Sequence, residues 1–355
     1  MFEKYKIVKD VEDIKRSSYN IEYAYNPSEE MQLAAVRQNG WSIQFIKNPS
    51  KKVQLEAVKE FGSAIEFIHN PSEEVQLEAV KQDGLVLSYI QNPSKNVKLA
   101  AVKQCGEAIA YIKKPSEEIK LAAVKRNGYA IEYIQNPSEA VQLEAVKQRS
   151  DAIKYIKNPS EAVRLAAVRK GGYAIQYIKN PSEEVQLEAV KRYAYAIQFI
   201  HKPSRAVQLE AVKRDGRTIQ YIKNPSEDVQ LEAVKENWSA IEFIHNPSED
   251  VQLEAVKQNG HIIQYIHNPS EEVQLEAVRK NGQVIEFIHN PSETVQLTAV
   301  KENRWAIRFI LNPSDQVVRY LIENFSSNLL AMQYLYGKVD FNTLPDDLKL
   351  MLEVS

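Results

Sequence analysis

Fourteen of the fifteen prolines in this chain of 355 residues stand 22 residues apart, from Pro27 to Pro313. Each sits in a near-copy of one sentence, N-P-S-E-E-V-Q-L-E-A-V-K-x-N-G-x-A-I-x-Y-I-x. A fixed period of roughly 20–50 residues marks stacked repeats, in which a unit cannot bury its apolar face without its neighbours. The period predicts an all-α fold, a right-handed α-solenoid or superhelix of about 13–14 two-helix repeats. It divides the chain into a degenerate N-terminal capping repeat (residues 1–26), thirteen complete repeats (27–312), and a divergent repeat with a C-terminal cap (313–355). With helices packed about 8–10 Å apart, such an array would run for roughly 110–140 Å.

In the unit that starts at Asn70, either Asn70 caps the helix, with Pro71 at its first position and Glu73 completing a capping box, or Ser72 caps it after an extended Asn-Pro step; Ser72 is favoured. Glu73 and Glu74 then occupy the first turn, where the helix dipole favours anions. Val75, Ala79, Leu77 and Val80 span a wide apolar arc, as befits a helix covered on both flanks. Asp83-Gly84 should end this helix, with the glycine in a left-handed C-terminal conformation. The second helix reads A-I-x-[YF]-I and is barely two turns, too short to survive without tertiary packing. Ile43 and Ile46 form its apolar side, which Phe45 is expected to extend. Trp41, Gln44 and Lys47 should share an exposed side. The Gln row (Gln32, Gln54, Gln76, Gln142 and onward) falls inside the apolar arc of the first helix, and a hydrogen-bond partner in the adjacent unit is expected for it.

Apolar residues make up 44% and charged residues 26% of the chain, which argues against disorder. A net charge of −2 supplies no global field for nucleic acid or an anionic membrane. The single cysteine, Cys105, rules out an internal disulfide framework and fits a reducing, cytoplasmic setting. It stands where other units have Asn and reads as incidental. Met1 to Ser18 are rich in charge and lack the apolar core of a secretory signal. No apolar run approaches the roughly 18–20 residues of a membrane span.

The run P-S-E-E-V-Q-L-E-A-V resembles the D-P-x-V-R-x-x-A-A helix of HEAT repeats, with Gln186 or Gln230 where HEAT units carry Arg; Arg164 restores an Arg there. The shorter unit and its V-K-x-N-G-x-A-I-x-Y-I tail are closer to uncharacterised bacterial and viral repeats reading V-L-A-A-V-K-x-N-G-x-A-L-x-Y. The likeness covers about Ile21 to Leu311 and implies a scaffold for binding. In a bacterial or viral setting it further implies a host or defence factor as the sequestered partner. It brings no catalytic motif.

The most variable position leads the second helix: Trp41, Ser63, Leu85, Glu107, Tyr129, Asp151, Tyr173, Tyr195, Arg217, Ser239, His261, Gln283 and Trp305. Aromatics and Arg dominate interface energetics, so Trp41, Tyr129, Tyr173, Tyr195, Arg217 and Trp305 are candidate contacts for a partner protein. Trp238, in a unit that has lost its glycine, joins them. The other reading is neutral variation at solvated positions, and Asp151 interrupts the aromatic series. A second row is basic: Arg37, Lys59, Lys81, Lys103, Lys125, Lys147, Arg169, Lys191, Lys213 and on to Lys301. It could follow a phosphate backbone, which makes nucleic acid the alternative partner. The repeated Glu residues on the same face argue for local helix support instead. His69, His201, His245, His267 and His289 recur at one position, but neighbouring units lie too far apart for ligand nitrogens about 2 Å from a metal. No phosphate-cradling loop, nucleophile motif or Cys/His cluster is present, so neither catalysis nor a cofactor is expected.

Overall fold

The computed structural model describes residue 8, residues 10–325, 333, 335, 337–339 and 345–354. Parts of both expected caps, residues 1–7, 326–332 and 340–344, lie outside the described residues. Among the described residues the fold is all-α, with helices repeating every 22 residues or so and packing successively. A lone bridge between Val8 and Ala24 is the exception. Two compact units are formed, Met1–Glu188 and Ala189–Ser355.

Each repeat pairs a ten-residue α-helix with a six-residue 3-10 helix, as in Glu73–Gln82 followed by Gly84–Tyr89. Ser72 caps the first by accepting the N–H of Val75, as the sequence predicts. The second element is a 3-10 helix rather than a short α-helix. Its period of three eclipses positions i and i+3. Gly40, Ile43 and Ile46 are therefore buried on one side, while Trp41, Gln44 and Lys47 share the exposed side. Asn39 starts this element by accepting the N–H of Trp41. The core is a repeated triplet from the α-helix, Val53, Ala57 and Val58, closed by Ala64 and Ile65 from the 3-10 helix.

Three local expectations are corrected. Among the described residues no glycine has a positive φ; the left-handed residue is the one before proline, Asn in most repeats (Asn48 at φ 46°) and Lys114 and Lys202 at 51° and 53°. A left-handed turn there lets the chain reverse into the next cap, so the Asn-Pro step is not extended. Gly40 is needed for close approach instead: a Cβ there would lie 2.4 Å from the carbonyl oxygen of Ala57 in the next repeat. The Gln row serves its own unit through Nε2, and at Gln296 it also reaches the next, where Oε1 accepts the N–H of Ser314 at 3.0 Å. Gln32 Nε2 donates to the carbonyl of Pro27 at 2.9 Å, and the bond recurs at Gln54, Gln76 and Gln142. Arg164 makes the same bond through Nε at 3.1 Å.

Neighbouring repeats are stitched at their helix starts. The cap Ser50 donates through Oγ to Glu29 Oε1 of the preceding repeat at 2.6 Å, and Ser94 does the same to Glu73. Where the first helical residue is basic, the stitch changes partner. Lys51 pairs with Glu74, Lys95 with Glu118 at 2.6 Å, and Arg205 with Asp228 at 2.6 Å, each reaching the second acid of the following repeat.

At the N-terminal end, helix Val11–Arg16 and 3-10 helix Ser18–Tyr23 bury Ile14 and Ile21. Gln38 Nε2 ties this degenerate repeat to the first complete one by donating to the carbonyl of Lys15 at 3.1 Å. In the second compact unit, helix Asp346–Val354 docks on helix Asp315–Phe325, with Arg319 paired to Asp347 and Leu348 buried.

Candidate functional site

The leading positions of the 3-10 helices turn much of their side chain toward the next repeat. Trp41 is 46% exposed, yet its Nε1 donates to Ser63 Oγ at 2.9 Å and its ring lies 5.9 Å from that of Phe61. Tyr129 is half-buried and donates through its hydroxyl to Asp151, the leading residue one repeat on. The residue that breaks the aromatic series in sequence is thus the partner of Tyr129 in space. The Arg149 guanidinium sits 4.2 Å from the Tyr129 ring centroid, and Lys154 Nζ is 4.8 Å from that of Tyr155. The hydrogen bond to Asp151 pushes the Tyr129 phenol above its ordinary pKa. Burial acts to raise Asp151, but hydrogen bonds from Tyr129 and Arg149 outweigh it and hold the carboxyl below the usual range.

Tyr195, in the second unit, is held the same way. It stacks obliquely on Tyr193 and edge-on to Tyr221, at 5.7 and 5.9 Å, and hydrogen-bonds Asp215, which also pairs with Arg217 at 3.3 Å. Tyr173 is 43% exposed and Trp238 36% exposed. Trp305 is half-buried, with Arg304 5.4 Å above its ring. Of the seven sequence candidates, Tyr129 and Tyr195 belong largely to contacts between repeats, while Trp41, Tyr173 and Trp238 are exposed.

The row that does face solvent is the aromatic of A-I-x-[YF]-I, which sequence reasoning assigned to the core. An aromatic occupies this position in every complete repeat, from Phe45 to Phe309. Tyr89, Tyr111 and Tyr133 are 48%, 52% and 49% exposed, and Phe243 and Tyr265 are 45% and 57% exposed. Some rings of the row are covered by the leading residue of the preceding repeat, although Phe67 behind Trp41 and Tyr221 behind Tyr195 stay 43% and 39% exposed. Tyr19 covers Phe45, Tyr129 covers Tyr155 and His261 covers Phe287, with centroids 6.1, 5.9 and 6.4 Å apart, and the covered rings are half-buried. Ser63, Leu85 and Glu107 precede Tyr89, Tyr111 and Tyr133, which stay open. The signal was an aromatic retained at one position through all thirteen repeats of the chain.

The basic row faces carboxylates. Arg37 lies 3.2 Å from Glu56 of the next repeat, and Lys59 and Lys81 lie 3.6 and 3.5 Å from Glu56 and Glu78. Arg169 lies 3.4 Å from Glu188. Lys103 and Lys125 line a groove of about 460 Å³ together with Leu99, Leu121 and Glu118. Lys147, Lys191 and Lys213 are exposed at the equivalent place. Cys105 Sγ lies 3.4 Å from Glu107 Oε2; burial first, and then this hydrogen bond, push the thiol up and keep it protonated. Among the described residues no group of three or more His, Cys, Asp or Glu is placed to hold a metal ion. No helix among them is long and apolar enough to cross a membrane.

A family described as a domain of unknown function (DUF4116) matches residues 248–291, which include helices Glu249–Gln258 and Glu271–Lys280. No curated protein matches the chain. No solved structure matches it either.

Proposed function

We propose that this chain is a non-catalytic repeat scaffold that binds a partner protein along its row of exposed aromatic side chains, with Tyr89, Tyr111 and Tyr133 as the principal anchors. One observation carries the reading. Three consecutive repeats each present a ring about half exposed, beside the small, aliphatic or acidic leading residues that leave them uncovered. Large aromatics held by a rigid scaffold lose little conformational entropy on contact, and such residues supply most interface energy. Several weak contacts in register then act together, which is how repeat scaffolds gain affinity. The HEAT-like sequence pattern supports the same reading by analogy, and the likeness to bacterial and viral repeats supports a host or defence factor as partner. The single cysteine, Cys105, fits a reducing, cytoplasmic setting. Nucleic-acid binding through the basic row has less support, because carboxylates lie close to several of its cations.

The test is affinity purification from native lysate with mass spectrometry, with and without nuclease. The triple variant Tyr89→Ser, Tyr111→Ser, Tyr133→Ser should lose the captured protein while its circular dichroism stays helical. The set Tyr129→Ser, Tyr173→Ser, Tyr195→Ser should lose less. Undiminished capture by the first variant, or capture abolished by nuclease, would refute the reading.

A further inference from the structure

A groove of about 400 Å³ lies between 3-10 helices Ser150–Tyr155 and Gly172–Tyr177, and four of the residues lining it are cations: Lys154, Lys157, Arg164 and Lys179. The equivalent groove one repeat earlier has Glu132, Gln135, Gln142 and Lys157 at these four places. Five repeats later the places hold Gln264, His267, Gln274 and His289. Of these three grooves only this one is cationic at every place, and no carboxylate lines it. Arg164 shares its row with only two other cations, Lys98 and Lys120, and Lys154 shares its own with only one, Arg308, so nowhere else do the two corresponding places of a groove both carry a cation.

The Lys154 ammonium is used locally, over the Tyr129 and Tyr155 rings at 5.0 and 4.8 Å, but local structure does not require the other three charges. Arg164 Nε makes the bond to the carbonyl of Pro159 that Gln makes elsewhere, so a neutral Gln would do the same structural work. Its Nη1 has a distant acid, Glu161 at 3.8 Å, and the other oxygen of Glu161 accepts from Ser182 Oγ. Among the described residues neither Lys157 nor Lys179 has an ion-pair partner. Concentrating unpaired cations costs Coulomb repulsion. A counter-charge from outside the chain relieves it.

We propose that this groove binds a phosphate monoester carried on an aromatic group. A phosphate monoester brings nearly two negative charges and three strong acceptor oxygens, which suit a guanidinium and several ammonium groups together. The remaining lining supplies the carrier's surface: Tyr177 is 41% exposed, and Pro159 and Ile178 lie beside it. The size lies within the roughly 300–1,000 Å³ of small-ligand sites. This site stands apart from the partner-protein reading and does not depend on it.

Isothermal titration of the full chain with phenyl phosphate at low salt is the direct test. Binding with a Kd below about 1 mM is expected. Arg164→Gln should weaken it at least about tenfold, as expected for loss of a charge-assisted contact. Adding Lys157→Gln and Lys179→Gln should abolish it. Gln stands at the corresponding places in other repeats (Gln142, Gln135, Gln91), so the triple variant keeps the fold. No heat at 5–10-fold above that concentration, or equal binding by the triple variant, overturns the site. Inorganic phosphate binding as tightly as phenyl phosphate overturns the aromatic carrier. Adenosine monophosphate and phosphotyrosine distinguish the two sources, and tighter binding of either names it.

Discussion

Ser94 Oγ donates to Glu73 Oε1 at 2.6 Å, and the same Oγ accepts the N–H of Val97 at 3.3 Å. One hydroxyl thus caps its own helix and holds the repeat before it. A first-turn Glu, read from sequence as a partner of the helix dipole, is also the acceptor of an inter-repeat bond.

Ser94→Ala should therefore cost more than Ser72→Ala. Ser72 caps Val75, but the preceding residue in the Glu73 role is Lys51, which pairs with Glu74 instead. Loss of a cap costs about 1 kcal/mol and loss of a further net hydrogen bond about another 1 kcal/mol, less where it is exposed. Urea denaturation of both variants, and of Glu73→Gln with and without Ser94→Ala, checks this. Equal losses at Ser72 and Ser94 would remove the stitch from the account.

Ser150 occupies a glycine place, and Gly171 faces it from the next repeat, where a Cβ would lie 2.7 Å from Ser150 Oγ. At Gly128 the facing residue is Arg149, whose Cβ would be 3.3 Å from an added Cβ. The missing side chain has moved across the interface. Gly171→Asn should destabilise by about 1–3 kcal/mol through overpacking. Ser150→Gly should be tolerated and should rescue Gly171→Asn, a coupling that a double-mutant cycle in urea measures. Additive losses would contradict it.

Asp151 offers a pH test. Its pKa is depressed in the fold, so its ionised form adds stability above the ordinary carboxylate value near 4, and that stability is lost as pH falls through the depressed value. Asp151→Asn should be less stable than the parent at pH 7, and the gap should close below about pH 4. Urea midpoints at pH 7, 4 and 3 report it. A gap that is constant across this range would mean that the carboxylate of Asp151 contributes nothing to stability.

Much of the architecture could be read from the repeat. Ser72 as cap and Val75, Ala79 and Val80 as core need only local geometry and a helical period. What eluded sequence reasoning depends on distances between repeats. Glycine signals both a left-handed residue and a close approach, and only the Ala57 carbonyl beside Gly40 decides between them. Phe45 reads as core on a period of 3.6, but the 3-10 helix has a period of three and turns this position partly outward. Tyr129 and Asp151 are 22 residues apart, so the contrast of aromatic and acid looks like an interruption until the repeats are superposed in space. The groove at Lys157 and Lys179 likewise combines two repeats, and each lysine alone is unremarked.

The Asn that starts several of the 3-10 helices also bears on chemical ageing. Asn39-Gly40, Asn127-Gly128, Asn259-Gly260 and Asn281-Gly282 are the dipeptide most prone to deamidation, in which the glycine nitrogen attacks the side-chain carbonyl. Here each of those carbonyls accepts the N–H two residues on, at 3.0–3.1 Å. The attack requires a rotation that this bond opposes. The fold thus shields its own weakest covalent links, and slow isomerisation at these sites would report local opening of a repeat long before the chain unfolds.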